Sequence, residues 1–247
     1  MKFDYLPKHV VEAHLQVWEL TRSRWEWGAR MGHGPDHAER TYKTAMLLCE
    51  QESVDPLSVG AACYLTDAGI GDVGGRDKHI DASLALAEDI IARLPVLQDV
   101  RGTVLECIRW HEAELEPPTG VDTSVYVVRD SDTLDRLGFT GIRMTLIYGQ
   151  WINRPLFNPF DPLCTENREL ELDGFTLDYL RYLRSVVVGK PSTQYAKQLA
   201  EEKIQQIDAY FSAFSNLITD GCNPTYDDAY ELLHSLNLRQ SFDGSPL

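Results

Sequence analysis

The spacing of apolar residues along the chain follows the period of an α-helix. Ile80, Leu84, Ala87, Ile91 and Leu94 recur at steps of four, three, four and three residues, so they lie along one face of a helix. Two further stripes of this kind are Val100, Val104, Cys107, His111 and Ala200, Ile204, Ile207, Phe211, Phe214, Ile218. No comparable alternation typical of strands is present. The pattern therefore predicts an all-α fold.

Short segments rich in glycine and proline separate the periodic stretches, because neither residue supports continuous helical hydrogen bonding. They fall at residues 32–35, 69–75, 116–120, 155–162 and 189–191. Between them the chain has room for about eight to ten helices. We expect one domain over residues 1–247, with a core at about 30–145 and a helical extension at about 146–240. The irregular stretch 155–173 is either a functional surface loop or a tolerated insertion.

Composition and charge narrow the class of protein. The 247 residues are 43% hydrophobic and 25% charged, as in soluble globular domains. A formal charge of −15 argues against binding to duplex nucleic acid, which needs an excess of Lys and Arg on one face. The N-terminal stretch carries charges throughout, so neither a signal peptide nor a membrane span is expected. Five scattered cysteines without a CxxC pair indicate free thiols in a reducing compartment, and we expect a cytoplasmic location.

Several histidines and one aspartate fall at helical positions that face the core. His37 and His79 each begin a predicted helix, and His111 ends the stripe that starts at Val100. Asp67 closes the apolar run LSVGAACYLTD, so its carboxylate is expected to be buried and to need a partner. Imidazole and carboxylate groups from separate helices favour a divalent ion such as Zn, Mn, Fe, Ni or Mg.

Three more aspartates follow in the stretch SVYVVRDSDTLDRLG. Asp130, Asp132 and Asp135 come after a strongly apolar turn, and we expect one of them to point inward. A single inward histidine is more often a hydrogen-bonded core residue, and a single acidic cluster is usually solvated. The case for a metal site therefore depends on the whole set and on its order along the chain.

The order of these residues resembles the signature of the HD phosphohydrolase superfamily, in which a histidine precedes an HD pair and a later aspartate. The fragments HAER, LTDAGIG, HIDAS, IRWHE and DSDTLDRLG are similar to the family's HxxR, LHDIG, HxxxS, following histidine helix and DADxLDxxG. Further on, TQYAKQLAEEKIQQIDAYF is similar to the closing helix of bacterial members. The resemblance covers most of the chain. It implies an HD-domain helical bundle with additional C-terminal helices.

The resemblance also implies a site and an activity. It implies that His37, Asp67 and Asp130 bind a metal, and that His79 and His111 support a second metal or the substrate. Proteins of this kind commonly hydrolyse phosphate esters, so a small phosphate or nucleotide is the expected substrate. In such a reaction Asp67, His79 and His111 are the expected catalytic residues, with Asp67 orienting the attacking water or bridging two ions.

A phosphate substrate needs cationic contacts, and three basic residues lie near the predicted ligands. Arg40 is one turn from His37 and matches the family's HxxR pattern. Arg76 and Lys78 lie in the loop that leads to His79, although a solvated loop explains them equally well. We expect Arg40, Arg76 and Lys78 to bind substrate.

One position departs from the family pattern. Thr66 stands where the HD pair has its histidine, and a threonine hydroxyl is a weak ligand for Zn or Fe. In one reading the site holds its ion through the remaining groups and water, or through His33, one turn before His37. Alternatively, the metal is lost and the fold binds a nucleotide or a partner protein, or Thr66 is an engineered inactivating change.

Two further expectations concern histidines. His33 lies in the turn GHGPDH, which favours a solvent-exposed residue, so we do not include it among the ligands. Some HD-fold proteins with a di-iron site oxidise small organic substrates, and the pair His79 and His111 keeps this oxygenase alternative open. Full di-iron ligation would again want a histidine at position 66.

Overall fold

The computed structural model describes residues 3–29, 32–74, 78–165, 168–219 and 223–242. Across these ranges the chain forms helices and turns, with no strand. The helices are α1 (Lys8–Gly28), α2 (Pro35–Glu52), α3 (Pro56–Cys63), α4 (Ile70–Val73), α5 (His79–Arg93), α6 (Arg101–Arg109), α7 (Thr123–Asp135), α8 (Gly138–Trp151), α9 (Thr176–Ser185), α10 (Gln194–Thr219) and α11 (Tyr226–Phe242). The all-α prediction is confirmed. The number of described helices exceeds the eight to ten expected because it includes the single turn α4.

The chain divides into two compact units. The first comprises Met1–Asp135 and Lys190–Gln198, and the second comprises Arg136–Gly189 and Leu199–Leu247. The first unit thus begins well before the predicted core, which was expected to start at about residue 30. It also includes a short segment from late in the chain, Lys190–Gln198. All of the predicted site residues that the structure describes lie in this first unit.

Helix α3 lies at the centre of the first unit and packs against α1, α2, α6 and α7. It begins at Pro56, and the Asp55 side chain accepts a hydrogen bond from the Leu57 backbone N–H, which satisfies one free donor of the first turn. Its residues from Ser58 to Cys63 are all buried. Because this helix is surrounded on every side, the turn that follows it delivers Thr66 and Asp67 into the interior.

Helices α2 and α7 pack against each other and carry several of the buried polar groups. Helix α2 has Pro35 in its first turn and Asp36 beside its positive N-terminal end, both of which favour a helix start there. In α7, every residue from Val127 to Asp135 is buried, charged residues included. Buried charges are normally paired or bind a metal, so we expect α7 to line a polar site in the interior.

The second unit contains α8, α9, α11 and most of α10. Its irregular stretch 155–173 is fastened by Arg168, whose Nε donates to Asp161 at 3.0 Å and whose Nη1 donates to Asp178 of α9 at 2.6 Å. The stretch is therefore held by charged hydrogen bonds to the helix that follows it.

Two further features bear on the sequence analysis. The described cysteines are free, as predicted: Cys49, Cys63 and Cys107 are buried and Cys164 is half-buried, while Cys222 lies outside the described residues. Among the helices that the structure describes, none has the length and apolar content needed to cross a bilayer.

Candidate metal centre

The carboxylate of Asp67 lies between four imidazole rings in the interior of the first unit. On one side, its Oδ2 is 3.0 Å from His33 Nδ1 and 3.4 Å from His37 Nε2. On the other side, its Oδ1 is 3.2 Å from His79 Nε2 and 3.5 Å from His111 Nε2. All five residues are buried. The turn after α3 thus places one carboxylate where histidines from four parts of the chain meet.

A carboxylate behind His37 fixes the orientation of its ring. Nδ1 of His37 donates to Asp135 Oδ2 at 2.7 Å, which leaves Nε2 facing Asp67 and also Asp132 Oδ1, at 3.4 Å. Burial alone would raise the pKa of Asp135, but hydrogen bonds from His37 and Arg40 lower it to about 2. The ionised carboxylate can only accept, so Nδ1 carries the proton. Metal-binding histidines are commonly held in this way.

His79 and His111 face Asp67 from the opposite side. His79 is the first residue of α5, and His111 follows the end of α6. The Nδ1 of His111 donates to the carbonyl oxygen of Ile108 at 2.8 Å, so its Nε2 is the nitrogen that points to Asp67. Oε1 of Glu112 lies 3.9 Å from His79 Nε2. This additional carboxylate was not among the residues predicted from the sequence.

The prediction that His33 is an exposed turn residue is wrong. Its exposed fraction is 7%, and its ring lies edge-on to that of His37 with 4.9 Å between the centroids. The spacing of four residues to His37, about one helical turn, was the sequence signal for this position, but the neighbouring glycines favoured an exposed turn.

Asp130, predicted as a ligand, lies outside this cluster. Its Oδ1 accepts from the Ser192 backbone N–H at 2.8 Å, and its Oδ2 accepts from the Thr193 N–H and hydroxyl, each at 2.7 Å. Asp130 therefore holds the turn that precedes α10. Residues two apart on a helix point in different directions, whereas residues three apart are neighbours. Asp132 and Asp135 consequently share the face toward His37, and Asp130 does not.

The three basic residues expected to bind substrate have different positions. Arg40 is engaged by carboxylates, because its Nε and Nη2 donate to Asp135 at 2.8 and 3.0 Å and its Nη1 donates to Asp36 at 2.6 Å. This places Arg40 behind His37 as its support. Lys78 is exposed and directly precedes His79. Arg76 lies outside the described residues.

Thr66 is buried beside Asp67, and its hydroxyl donates to the carbonyl oxygen of Cys63 at 3.4 Å. A hydroxyl directed to the last turn of α3 satisfies that carbonyl, which has no partner further along the helix. The side chain at position 66 therefore has a local role in ending α3.

The electrostatics of the cluster are those of a negative centre surrounded by imidazoles. Burial alone would raise the pKa of Asp67, but the surrounding histidines, above all His33 and His111, hold it well below its usual range. Burial alone would lower the pKa of His111, but its interactions with Asp67 raise it to about 9. The pKa of His37 is raised for the same reason, by Asp132, Asp135 and Asp67. Without a metal, protons on the imidazoles neutralise the buried carboxylates.

The donor atoms fit a divalent ion. His33, His37 and Asp67 form one group, and Asp67, His79 and His111 form another, with the ligand atoms of each group within 4.8 Å of one another. Among the described residues, the buried Oδ1 of Asp67 accepts no hydrogen bond, and a bound cation would satisfy it. Nitrogen and oxygen donors of this kind suit Zn, Mn, Fe, Ni or Mg.

No protein-family model and no curated protein matches this sequence. Solved structures do resemble it. A protein from Lactobacillus plantarum has a TM-score of 0.67 at 19% identity, with 87% of this chain and 99% of that one covered. Bacillus subtilis YpgQ in complex with ADP has a TM-score of 0.62 at 18% identity, with 88% and 98% covered.

An HD-superfamily hydrolase from Bacillus thuringiensis has a TM-score of 0.59 at 20% identity, with 86% of this chain and 97% of that one covered. At these identities the likeness concerns the fold, over nearly the full length of each neighbour. The chain therefore has the all-α, HD-like fold of these bacterial structures.

Proposed function

We propose that this protein is a metal-dependent phosphohydrolase that acts on a small phosphate ester, with nucleotides as the favoured class. The observation that carries the proposal is the buried Asp67 carboxylate with two imidazoles on each side. The HD-like fold supports a hydrolase, since one structural neighbour is described as an HD-superfamily hydrolase. A second neighbour was crystallised with ADP, which supports a nucleotide.

The proposed ligands of a first ion include His37, Asp67 and Asp132, in place of the set with Asp130 that the family resemblance implied. His79 and His111, together with the other oxygen of Asp67, are the proposed ligands of a second ion. Divalent ions bound by these residues would lower the pKa of a bound water and would polarise a phosphoryl oxygen.

The surrounding residues have separate roles in this proposal. Asp135 keeps the proton on His37 Nδ1, and Arg40 holds Asp135 through two hydrogen bonds. Arg40 is therefore a positioning residue. Glu112, close to His79, is a carboxylate that can accept a proton from the attacking water. Lys78, exposed and adjacent to His79, can contact the charge of the phosphate, with Arg76 as a further candidate.

The test is phosphate release from nucleoside mono-, di- and triphosphates and p-nitrophenyl phosphate by protein loaded with each of the five metals. Wild-type protein should release phosphate, and Asp67→Asn should not, because it loses the shared ligand. Asp81→Asn, which changes an exposed aspartate of α5, is the matched control and should keep the activity.

Three outcomes would replace this proposal. Nucleotide binding without turnover would favour the catalytically silent binding protein. Bound iron with consumption of oxygen would favour the oxygenase. Metal-loaded protein that neither binds nor hydrolyses any member of the panel would contradict the phosphate-ester substrate itself.

A further inference from the structure

We infer that His33 supplies the imidazole that Thr66 cannot offer, so that His33, His37, Asp67 and Asp132 together hold the first ion. The inference rests on the metal centre of the proposed function. It assigns a ligand to a residue outside the HD-type signature, and it explains how a chain with threonine at position 66 can keep a complete site.

The first argument is position. His33 Nδ1 and His37 Nε2 both approach Oδ2 of Asp67, at 3.0 and 3.4 Å. The ligand atoms of these three residues lie within 4.8 Å of one another, close enough to surround one ion. Ligation through Nδ1 of His33 needs the neutral ring, as for any histidine ligand.

The second argument is rigidity. The backbone N–H of His33 donates to the carbonyl oxygen of Gly28 at 2.9 Å, which ties the turn back to the end of α1. A Cβ at Gly28 would overlap the carbonyl oxygen of His33, so glycine permits this close approach. On the other side, Gly34 and Pro35 begin α2. His33 is thus held by a backbone hydrogen bond to the end of α1 on one side and by the start of α2 on the other, as a metal ligand requires.

The third argument is the chemistry of position 66. The Thr66 hydroxyl donates to the Cys63 carbonyl, and a hydroxyl is in any case a poor ligand for borderline metals. A histidine at position 66 would start from the residue directly before Asp67, whereas His33 reaches the same carboxylate from the turn before α2. The imidazole of His33 can therefore keep the number of imidazole ligands the same, although it comes from a different place in the sequence.

The experiment is calorimetric titration of Mn²⁺ into metal-free protein, with four forms compared: wild type, His33→Asn, Thr66→His, and the double variant. His33→Asn should weaken Mn²⁺ binding at the first site by at least about 10–100-fold, the loss that removal of an outer-sphere partner already causes. The double variant should recover most of that affinity, because Thr66→His restores the imidazole. Electron spin echo modulation of the Mn²⁺-loaded forms should show one coordinated imidazole fewer in His33→Asn.

His14→Asn is the matched control. His14 is also buried in the first unit, where it contacts Tyr42 and the carbonyl oxygen of Leu57, away from the cluster. It should bind Mn²⁺ as the wild type does. Circular dichroism melting in EDTA checks that each variant is folded.

Folded His33→Asn with the wild-type affinity and imidazole count would overturn the inference. So would a folded double variant with no recovery. Failure of the proposed function has a different signature: Mn²⁺ binding that depends on His33, without hydrolysis of any phosphate ester, leaves His33 as a ligand and removes the hydrolase. Mn²⁺ binding that is unaffected by both His33→Asn and Asp67→Asn removes the metal centre.

Discussion

Asp135 accepts a hydrogen bond from Nδ1 of His37 at 2.7 Å, and this contact decides which nitrogen of the ring faces Asp67. Arg40 in turn holds both oxygens of Asp135. The three residues form a chain of support behind the metal centre. Arg40, the arginine of the HxxR fragment, therefore helps to orient His37, the histidine that begins the fragment.

Asp135→Asn should weaken metal binding while the chain stays folded. The amide keeps the shape of the carboxylate but loses the charge that binds Arg40 and favours the Nδ1 proton of His37. Loss of such a partner typically lowers metal affinity by about 10–100-fold. Calorimetric titration with Mn²⁺ measures the change. Asp36→Asn, which removes only the exposed partner of Arg40, is the control. Equal Mn²⁺ affinities in the two variants would contradict the supporting role of Asp135.

Asp130→Asn should reduce stability and leave metal binding intact. The amide group faces the backbone N–H groups of Ser192 and Thr193, of which at least one loses its acceptor. An unsatisfied buried donor costs about 1–3 kcal/mol of unfolding free energy. Urea denaturation of metal-free protein measures this loss.

Asp132→Asn should show the opposite behaviour, with weaker Mn²⁺ binding, because Asp132 faces His37 Nε2 at 3.4 Å. Calorimetry on both variants separates the two aspartates. If Asp130→Asn lost Mn²⁺ binding and Asp132→Asn kept it, the roles that we assign to the two aspartates would be reversed.

This pair of aspartates shows where prediction from sequence reached its limit. Periodicity reports which side of a helix is apolar, so it identified His37, His79 and His111 as inward residues. Helix α7 is buried along almost its whole length and has no solvent face, so periodicity could not choose between Asp130 and Asp132. The partner of Asp130, the turn at Ser192 and Thr193, is distant in sequence. Such long-range contacts leave no local signal.

His33 was considered as a replacement ligand but left out of the predicted set, for a different reason. Glycine and proline on both sides indicate a turn, and turns are usually exposed. Gly32, His33 and Gly34 are nonetheless buried, because Gly28 allows His33 to pack against the end of α1. The all-α fold was predictable because it depends on local periodicity, whereas the full set of candidate ligands depends on how the segments between helices pack.

Gly28→Ala should lower metal affinity without removing any side chain of the site. The added methyl group would overlap the carbonyl oxygen of His33 and displace the turn that presents its ring. Gly102→Ala is the control, because a Cβ at this position in α6 meets open space. Mn²⁺ titration should show weaker binding in Gly28→Ala alone. Wild-type affinity in a folded Gly28→Ala protein would mean that the position of His33 does not matter for the ion.

The metal-free protein should lose stability as the pH rises from about 6.5 to about 9. Burial opposes the charged form of His111, but its interactions with Asp67 raise its pKa from 6.5 to about 9 in the folded chain. A raised pKa means that the folded state binds the proton more tightly. The stabilisation is therefore complete below 6.5 and disappears as the pH rises through 9.

Urea denaturation in EDTA at several pH values measures this trend. In His111→Asn, the free energy of unfolding should fall less over the same pH range, because the variant has no imidazole at position 111. Mn²⁺-loaded protein should show the reverse dependence, since protons compete with the metal for the same nitrogens. An equal or larger free energy of unfolding at high pH in the metal-free wild type would contradict the charge balance described for the cluster.

The most direct test of the central claim is the rate of inorganic phosphate release from a nucleotide as Mn²⁺ is added to metal-free wild-type protein. The account predicts no release without metal and a rate that rises with Mn²⁺ to a plateau when the sites around Asp67 are filled. A rate that stays at background across the whole titration, or that does not depend on added metal, would contradict it.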